Sequence, residues 1–347
     1  METPPVPRDF KSFVALYKET VYNKICEYLP KGEPEAYHKI VRCYVDRKGQ
    51  YRRPSYLLLW NLLYGGRMED AILPAAVQQT SEDWILMHDD IMDGNSLRRG
   101  QPAAHVLFGL NYAVLGGDHL HMMNWRMAHE AAEKLGKDRG RRYFDKFFDI
   151  MHVTHEGQYL DMRLTHDVKD ITKFTPEDYF KSIHAKAAYY TVYGPMQCGA
   201  IIAGAPEEVV NSMAEYGVSV GNAFQIKDDI LDCTSTEAVL GKSIGNDVRD
   251  GVKTIVLWHA VQNAPADILA KLKAIYAKPR EQKTEDEVKW ILEKFKELGS
   301  ISYAEKEAAR LAGEAAKRFD KQTKDMPESP LKQLARESIG YVVKRKE

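Results

Sequence analysis

The chain has 347 residues, 44% hydrophobic and 29% charged, the proportions of a globular protein long enough for a deep core. Its 49 basic and 50 acidic residues leave a net charge of −1, which excludes a global field for drawing in nucleic acid or an anionic membrane surface. Four scattered cysteines (Cys26, Cys43, Cys198, Cys233) without a CxxC pair argue against a zinc site or a disulfide framework and fit reduced thiols.

Helical periodicity dominates the chain and strand alternation is scarce. After a Pro-rich start, residues Asp9–Leu29 read as an amphipathic helix closed by Leu29-Pro30-Lys31-Gly32, and Glu35–Val45 as a second. A basic loop from Asp46 to Pro54 leads into an apolar helix at Tyr56–Tyr64, ended by Gly65-Gly66. A long helix follows at about Glu69–Asp93, broken by Gly94-Asn95, with Ser96–Pro102 as a loop. Further helices are expected at about Asn111–Leu135, Arg139–Leu164, Pro176–Ala203 and Glu207–Asp232, then a loop over Cys233–Lys253. Three more helices complete the chain, two of them marked by apolar stripes over Ile301–Phe319 and Leu331–Val343. The polar stretch Lys278–Asp286 reads as a surface excursion. No linker divides the chain and no repeat period runs through it. The expectation is all-α: a single domain over residues 1–347, with about a dozen helices around a central cavity. No N-terminal segment resembles a signal peptide and no apolar run approaches the ~18 residues a span needs, so a soluble cytoplasmic protein is expected.

Two of these helices end in matching acidic runs, His88-Asp89-Asp90-Ile91-Met92-Asp93 and Lys227-Asp228-Asp229-Ile230-Leu231-Asp232. Carboxylates at i and i+4 stack on one helix face. Two such faces in one cavity would repel unless bound cations neutralised them, and an oxygen-only set that leaves room for water and phosphates suits Mg²⁺. Asp89 and Asp93 are the leading first-run ligand candidates, and Asp90, off that stack, is a further metal candidate. Asp228 leads in the second run, supported by Asp232. A solvated helix face would explain either run alone, but two matched runs point to a metal-bridged diphosphate site. Arg98 and Arg99 follow the first run and suit bidentate phosphate contacts. Lys186 stands among small alanines, while Lys242 and Lys253 lie in the glycine-containing loop after the second run. Trp84, five residues before Asp89, sits a turn or more deeper on the same helix, where it could floor a tube for a hydrocarbon chain.

As a set, these residues resemble the trans-isoprenyl diphosphate synthases of the polyprenyl synthetase family. Asp89-Asp90-Ile-Met-Asp93 with Arg98-Arg99-Gly100-Gln101-Pro102 matches the family's first aspartate-rich motif and its RRGxP tail. Phe224-Gln225-Ile-Lys227-Asp228-Asp229-Ile-Leu-Asp232 matches the second. Lys186-Ala187 resembles the KT motif, Gly157-Gln158-Tyr-Leu-Asp161 the GQxxD motif, and Gly241-Lys242 with Asp247 and Lys253 the loop beyond. Lys344-Arg345-Lys346 resembles the basic tail of farnesyl diphosphate synthases. The resemblance implies an isoprenoid-synthase type I fold and a homodimer. It also implies three Mg²⁺ ions on Asp89, Asp93 and Asp228, with Arg98, Lys186 and Lys242 on an allylic diphosphate. Arg53, Arg99 and Gln225 are then further substrate-binding positions. The implied reaction ionises that diphosphate and joins it head to tail with isopentenyl diphosphate, giving a C15 to C20 product.

Two positions depart from the family pattern, both where isopentenyl diphosphate should bind. Gln50 stands where a lysine is usual, four residues before Pro54, and Glu82 where His or Gln is usual, seven before Asp89. Losing a cation and gaining a carboxylate weakens diphosphate binding; Arg47, Lys48 or Arg52 is expected to compensate, with Glu82 paired to one of them. Two other readings stay open: a class I terpene synthase acting on a prenyl diphosphate alone, and a partner subunit of a heteromeric synthase.

Overall fold

The computed structural model describes residues 7–235 and 244–344. Helices account for nearly all the regular structure there, as the periodicity predicts, with one two-residue hairpin. The described chain groups into two compact units: Met1–Ile150 with Thr191–Ala214 and Gln322–Ser338, and Met151–Tyr190 with Glu215–Lys321 and Ile339–Glu347. Among the described residues no helix is long and apolar enough to cross a membrane.

In the first unit, helix Phe10–Tyr28 starts where the Asp9 side chain accepts from the Ser12 amide, satisfying an N–H that the first turn leaves bare. Helix Arg52–Leu63 is buried at every position from Pro54 to Asn61. It packs against Gly194–Ile202, whose nine residues are all buried. The long helix Met68–Met92 begins with Glu69 and Asp70 in its first turn, where the helix dipole favours acids. It packs along Leu110–Leu135 and delivers the first acidic run at its C-terminal end. Beyond it, Leu97–Arg98 pairs antiparallel with Gln101–Pro102. This is a correction to the expected loop: Arg99 and Gly100 form the turn with φ 54° and 72°, the doubly left-handed geometry that lets a two-residue hairpin follow strand twist.

In the second unit, helix Pro176–Ile183 opens with a capping box between Thr175 and Asp178. Ala214–Thr234 carries the second acidic run, and Glu285–Glu297 opens with a second capping box, Thr284 with Glu287. The apolar stripe of Ser300–Gln322 is buried at Ala304, Ala308, Leu311, Ala315 and Phe319, as its spacing predicts.

Three expectations on segmentation change. Pro176–Ala203 is not one α-helix: His184–Tyr193 is π-helical, and a new α-helix begins at Gly194. Pro195, which has no N–H to donate, stands where the wide turns end. Glu207–Asp232 divides into Glu207–Ser212 and Ala214–Thr234. Five α-helices rather than three follow Lys253, at Ile255–Asn263, Ala266–Tyr276, Glu285–Glu297, Ser300–Gln322 and Pro330–Lys344. Pro265 and Thr284 supply the extra starts. Nor is Lys278–Asp286 wholly superficial, because Lys283 is buried.

Candidate active site

The first acidic run divides by burial. Asp89 and Asp93 are partly exposed, and Asp93 closes the helix with its amide on the Asp89 carbonyl at 2.8 Å. Asp90 is fully buried. Tyr44 donates its hydroxyl to Asp90 Oδ2, and the Arg98 Nε lies 3.0 Å from each carboxylate oxygen, with Nη2 also on Oδ1. The Tyr44 oxygen in turn accepts the Ala104 amide at 3.1 Å. Burial alone would weaken the Arg98 charge, but the Asp90 carboxylate holds the guanidinium above its ordinary pKa. Thus the structure points Asp90 at the protein, where it fixes Arg98 by its Nε–Nη2 edge.

A second charge cluster lies on the same helix. Arg53 Nη1 is 3.2 Å from Glu82, Arg99 Nη2 is 3.8 Å from Glu82 and 2.9 Å from Asp83, and Arg99 Nη1 donates to the Tyr44 carbonyl at 2.6 Å. Arg53 also donates to the Thr191 hydroxyl at 2.9 Å. The left-handed backbone at Arg99 is a strained conformation for a long side chain. Burial would raise the Glu82 pKa, but Arg53 and Arg99 outweigh it and hold the carboxyl below the usual glutamate range. Asp83 goes the other way, pushed up to about 6 by burial despite Arg99, with the Glu82 charge adding to the rise. Gln50 is exposed. Of the three expected partners of Glu82, Arg47 donates to the Arg98 and Pro102 carbonyls and Lys48 pairs with Glu19, whereas the Arg52 charge helps to lower the Glu82 pKa.

The second run repeats the logic of the first within its own unit. Asp229 is buried, accepting from the Tyr179 hydroxyl at 2.7 Å and from Gln225 Nε2 at 2.9 Å. Burial pushes its pKa up to about 7 against those hydrogen bonds, with Asp228 and Asp232 adding repulsion. Asp228 is partly exposed. Asp232 is buried and takes the Asp247 amide at 3.0 Å. Gln225, expected on substrate, donates its Nε2 to Asp229.

The cations of this unit have different settings. Lys186 lies in the π-helical segment with its Nζ 2.7 Å from Asp161. The GQxxD spacing explains that pair. A Cβ at Gly157 would fall 2.2 Å from the Lys186 amide nitrogen, so only glycine lets the two helices approach, and Asp161 sits one turn on. Lys253 is buried and donates to the Thr165 and Gly251 carbonyls at 2.9 and 2.8 Å. Burial pushes its pKa down to about 8. Lys242, Arg345 and Lys346 lie outside the described residues.

Trp84 is buried, with its ring centroid 4.5 Å from His121 and 5.9 Å from His88. Trp125 donates Nε1 to His121 at 2.8 Å and packs on Phe144 and Phe147. An aromatic wall therefore surrounds the position expected to floor the tube.

Among the described residues no three His, Cys, Asp or Glu side chains gather to hold a metal ion by themselves. The donor chemistry still fits Mg²⁺, whose shell is usually one or two carboxylates completed by water and substrate phosphate. Asp89, Asp93 and Asp228 are the partly exposed carboxylates. Sequence reasoning missed Tyr44, Tyr179 and Asp83. The adjacent acids Glu82-Asp83, within two turns of the first acidic run, were a usable signal for Asp83; the tyrosines carry none.

Comparison with known proteins gives concordant matches. The family model described as "Polyprenyl synthetase" matches residues 34–295. A geranylgeranyl diphosphate synthase of Methanosarcina mazei is 32% identical over 92% of this chain and 93% of its own length. A geranylfarnesyl diphosphate synthase of Natronomonas pharaonis is 28% identical over 96% and 97%. The crystal structure of a geranylgeranyl pyrophosphate synthetase from Pyrococcus horikoshii superposes with a TM-score of 0.81 at 28% identity, covering 97% of this chain and 99% of that one.

Proposed function

Because the chain belongs to the polyprenyl synthetase family and is a short-chain trans-prenyl diphosphate synthase, we propose that it extends an allylic diphosphate with isopentenyl diphosphate to a C15–C20 product. The observation that carries this is the division of labour in the acidic runs. In each, the second aspartate is buried on a tyrosine, while Asp89 and Asp93 in the first run and Asp228 in the second stay partly exposed.

Asp89, Asp93 and Asp228 would hold Mg²⁺, three ions in all, which supplies positive charge to the departing diphosphate. Arg98, braced by Asp90, and Lys186, braced by Asp161, add fixed cations for the same anion, and Lys242 and Lys253 are the further candidates. The allylic C–O bond breaks with its electron pair leaving on the diphosphate. The resulting cation is attacked by the double bond of isopentenyl diphosphate, held by Arg53 and Arg99. Loss of a proton to the released diphosphate completes the longer chain. The aromatic wall around Trp84 supports both exclusion of water and an early floor to the tube, and the relatives are named for C20 and C25 products. Trp84→Ala should then shift the product spectrum to longer chains, and an unchanged spectrum would put the floor elsewhere.

The proposal includes a cytoplasmic homodimer. Val106, Leu107, Leu110, Tyr112, Leu115 and Met122 are exposed on or beside helix Leu110–Leu135, an apolar strip suited to a second copy. The test of function is incubation of the purified protein with Mg²⁺, isopentenyl diphosphate and dimethylallyl, geranyl or farnesyl diphosphate. Elongation is expected with at least one primer; none with any would overturn the reading.

A further inference from the structure

Glu82 sits where a carboxylate works against an incoming anion. It lies 3.2 Å from Arg53 and 3.8 Å from Arg99, the two guanidiniums that the proposed function gives to isopentenyl diphosphate. With Asp83 at 2.9 Å from Arg99, two carboxylates face these two guanidiniums, and Arg52 adds a further positive charge acting on Glu82. The two acids are not equivalent. The Asp83 side chain keeps 1% of its surface and also accepts from Gln79, whereas the Glu82 side chain keeps 15%, as do the arginines to within a percentage point. Asp83 therefore anchors Arg99 from inside, and Glu82, with its Oε2 buried against Arg53, is the less deeply buried of the two acids. The loop before Arg53 closes on the same place: a Cβ at Gly49 would lie 2.4 Å from Arg99 Nη2. Its neighbour Gln50 is exposed and brings no charge.

We propose that Glu82 is a specificity-determining residue, an internal counter-anion on Arg53 and Arg99 that isopentenyl diphosphate must displace. It sets the affinity for the acceptor and leaves that for the allylic diphosphate untouched, since repulsion shapes specificity as much as attraction does. The inference rests on the reading that Arg53 and Arg99 hold the acceptor. The opposite role, a clamp that keeps the arginines in position for the anion, gives opposite kinetics.

The test is the pair of KM values in Glu82→Gln, with Gln50→Lys as an exposed substitution that adds charge without touching the buried cluster. Glu82→Gln should lower KM for isopentenyl diphosphate about tenfold and leave KM for geranyl diphosphate unchanged; Gln50→Lys should move it the same way. An acceptor KM that stays or rises in both variants overturns the proposal, as does an equal fall for both substrates. If the wild-type protein elongates no primer, the functional reading fails separately. Equilibrium binding of isopentenyl diphosphate then decides the role of Glu82: tighter binding by Glu82→Gln supports it, and equal or weaker binding overturns it.

Discussion

Asp89 and Asp90 are adjacent, carry the same group and have opposite environments. Asp90 is fully buried against Tyr44 and Arg98, and Asp89 faces outward in part. Removing one partner of a buried pair leaves the other charge uncompensated, so Asp90→Ala should destabilise the fold by about 3 kcal/mol. Asp89→Ala should change stability by less than about 0.5 kcal/mol while lowering kcat about a hundredfold or more. Urea unfolding beside steady-state rates separates the two; equal loss of stability in both variants would contradict the assignment. The helix spacing ranked Asp89 above Asp90 as a ligand but could not show what Asp90 holds instead. Spacing shows which carboxylates share a helix face, and the partner that claims Asp90 lies 46 residues upstream. Glu82 shows the same limit. Its departure from the family pattern was visible, but its pairing with Arg53 and Arg99 was not, because both arginines reach it from other elements.

At the scale of elements, the site depends on close approach and on an irregular helix. Gly157→Ala would drive a methyl group into the Lys186 backbone, and overpacking of this kind costs about 1–3 kcal/mol. The variant should also separate Lys186 from Asp161 and raise KM for the allylic diphosphate; a normal KM and melting temperature would mean the helices adjust freely. The motif spelling GQxxD predicted that these residues matter, whereas the π-helical stretch that carries Lys186 was read as ordinary helix. Wide turns leave no mark on apolar periodicity over ten residues, although π segments recur at functional sites.

Two buried lysines give the second unit a pH dependence. Burial pushes Lys253 and Lys283 down to about 8 from 10.5. A folded pKa below the unfolded one adds stability above the unfolded value, lost as pH falls through the folded one. Stability should therefore climb between about pH 8 and 10.5 on account of these groups. Tyrosines raised by burial, such as Tyr64 at about 12, oppose the climb near its upper end, since ionising them favours the unfolded chain. Lys283→Met should flatten the climb in urea titrations across that window; an unaltered slope would contradict the burial of its ammonium.

For the whole molecule, the all-α class was legible because periodicity survives sequence drift, and the solved relative superposes over nearly the full chain. Helix number was less legible, since the Thr284 start falls inside the polar stretch Lys278–Asp286 and the Pro265 start follows closely on the end of Ile255–Asn263. Association belongs to this scale too. Leu110→Glu with Leu115→Glu should turn a dimer into a monomer by sedimentation, and an unshifted dimer would move the interface off that strip. The proposed function requires the enzyme to couple two substrates although Glu82 and Asp83 lie against Arg53 and Arg99. The most direct measurement is mass spectrometry of the products from farnesyl diphosphate and Mg²⁺, with and without isopentenyl diphosphate. A C20 diphosphate that forms only when isopentenyl diphosphate is present is the expected result. A terpene hydrocarbon or alcohol from farnesyl diphosphate alone, with no elongated diphosphate in either tube, would contradict it.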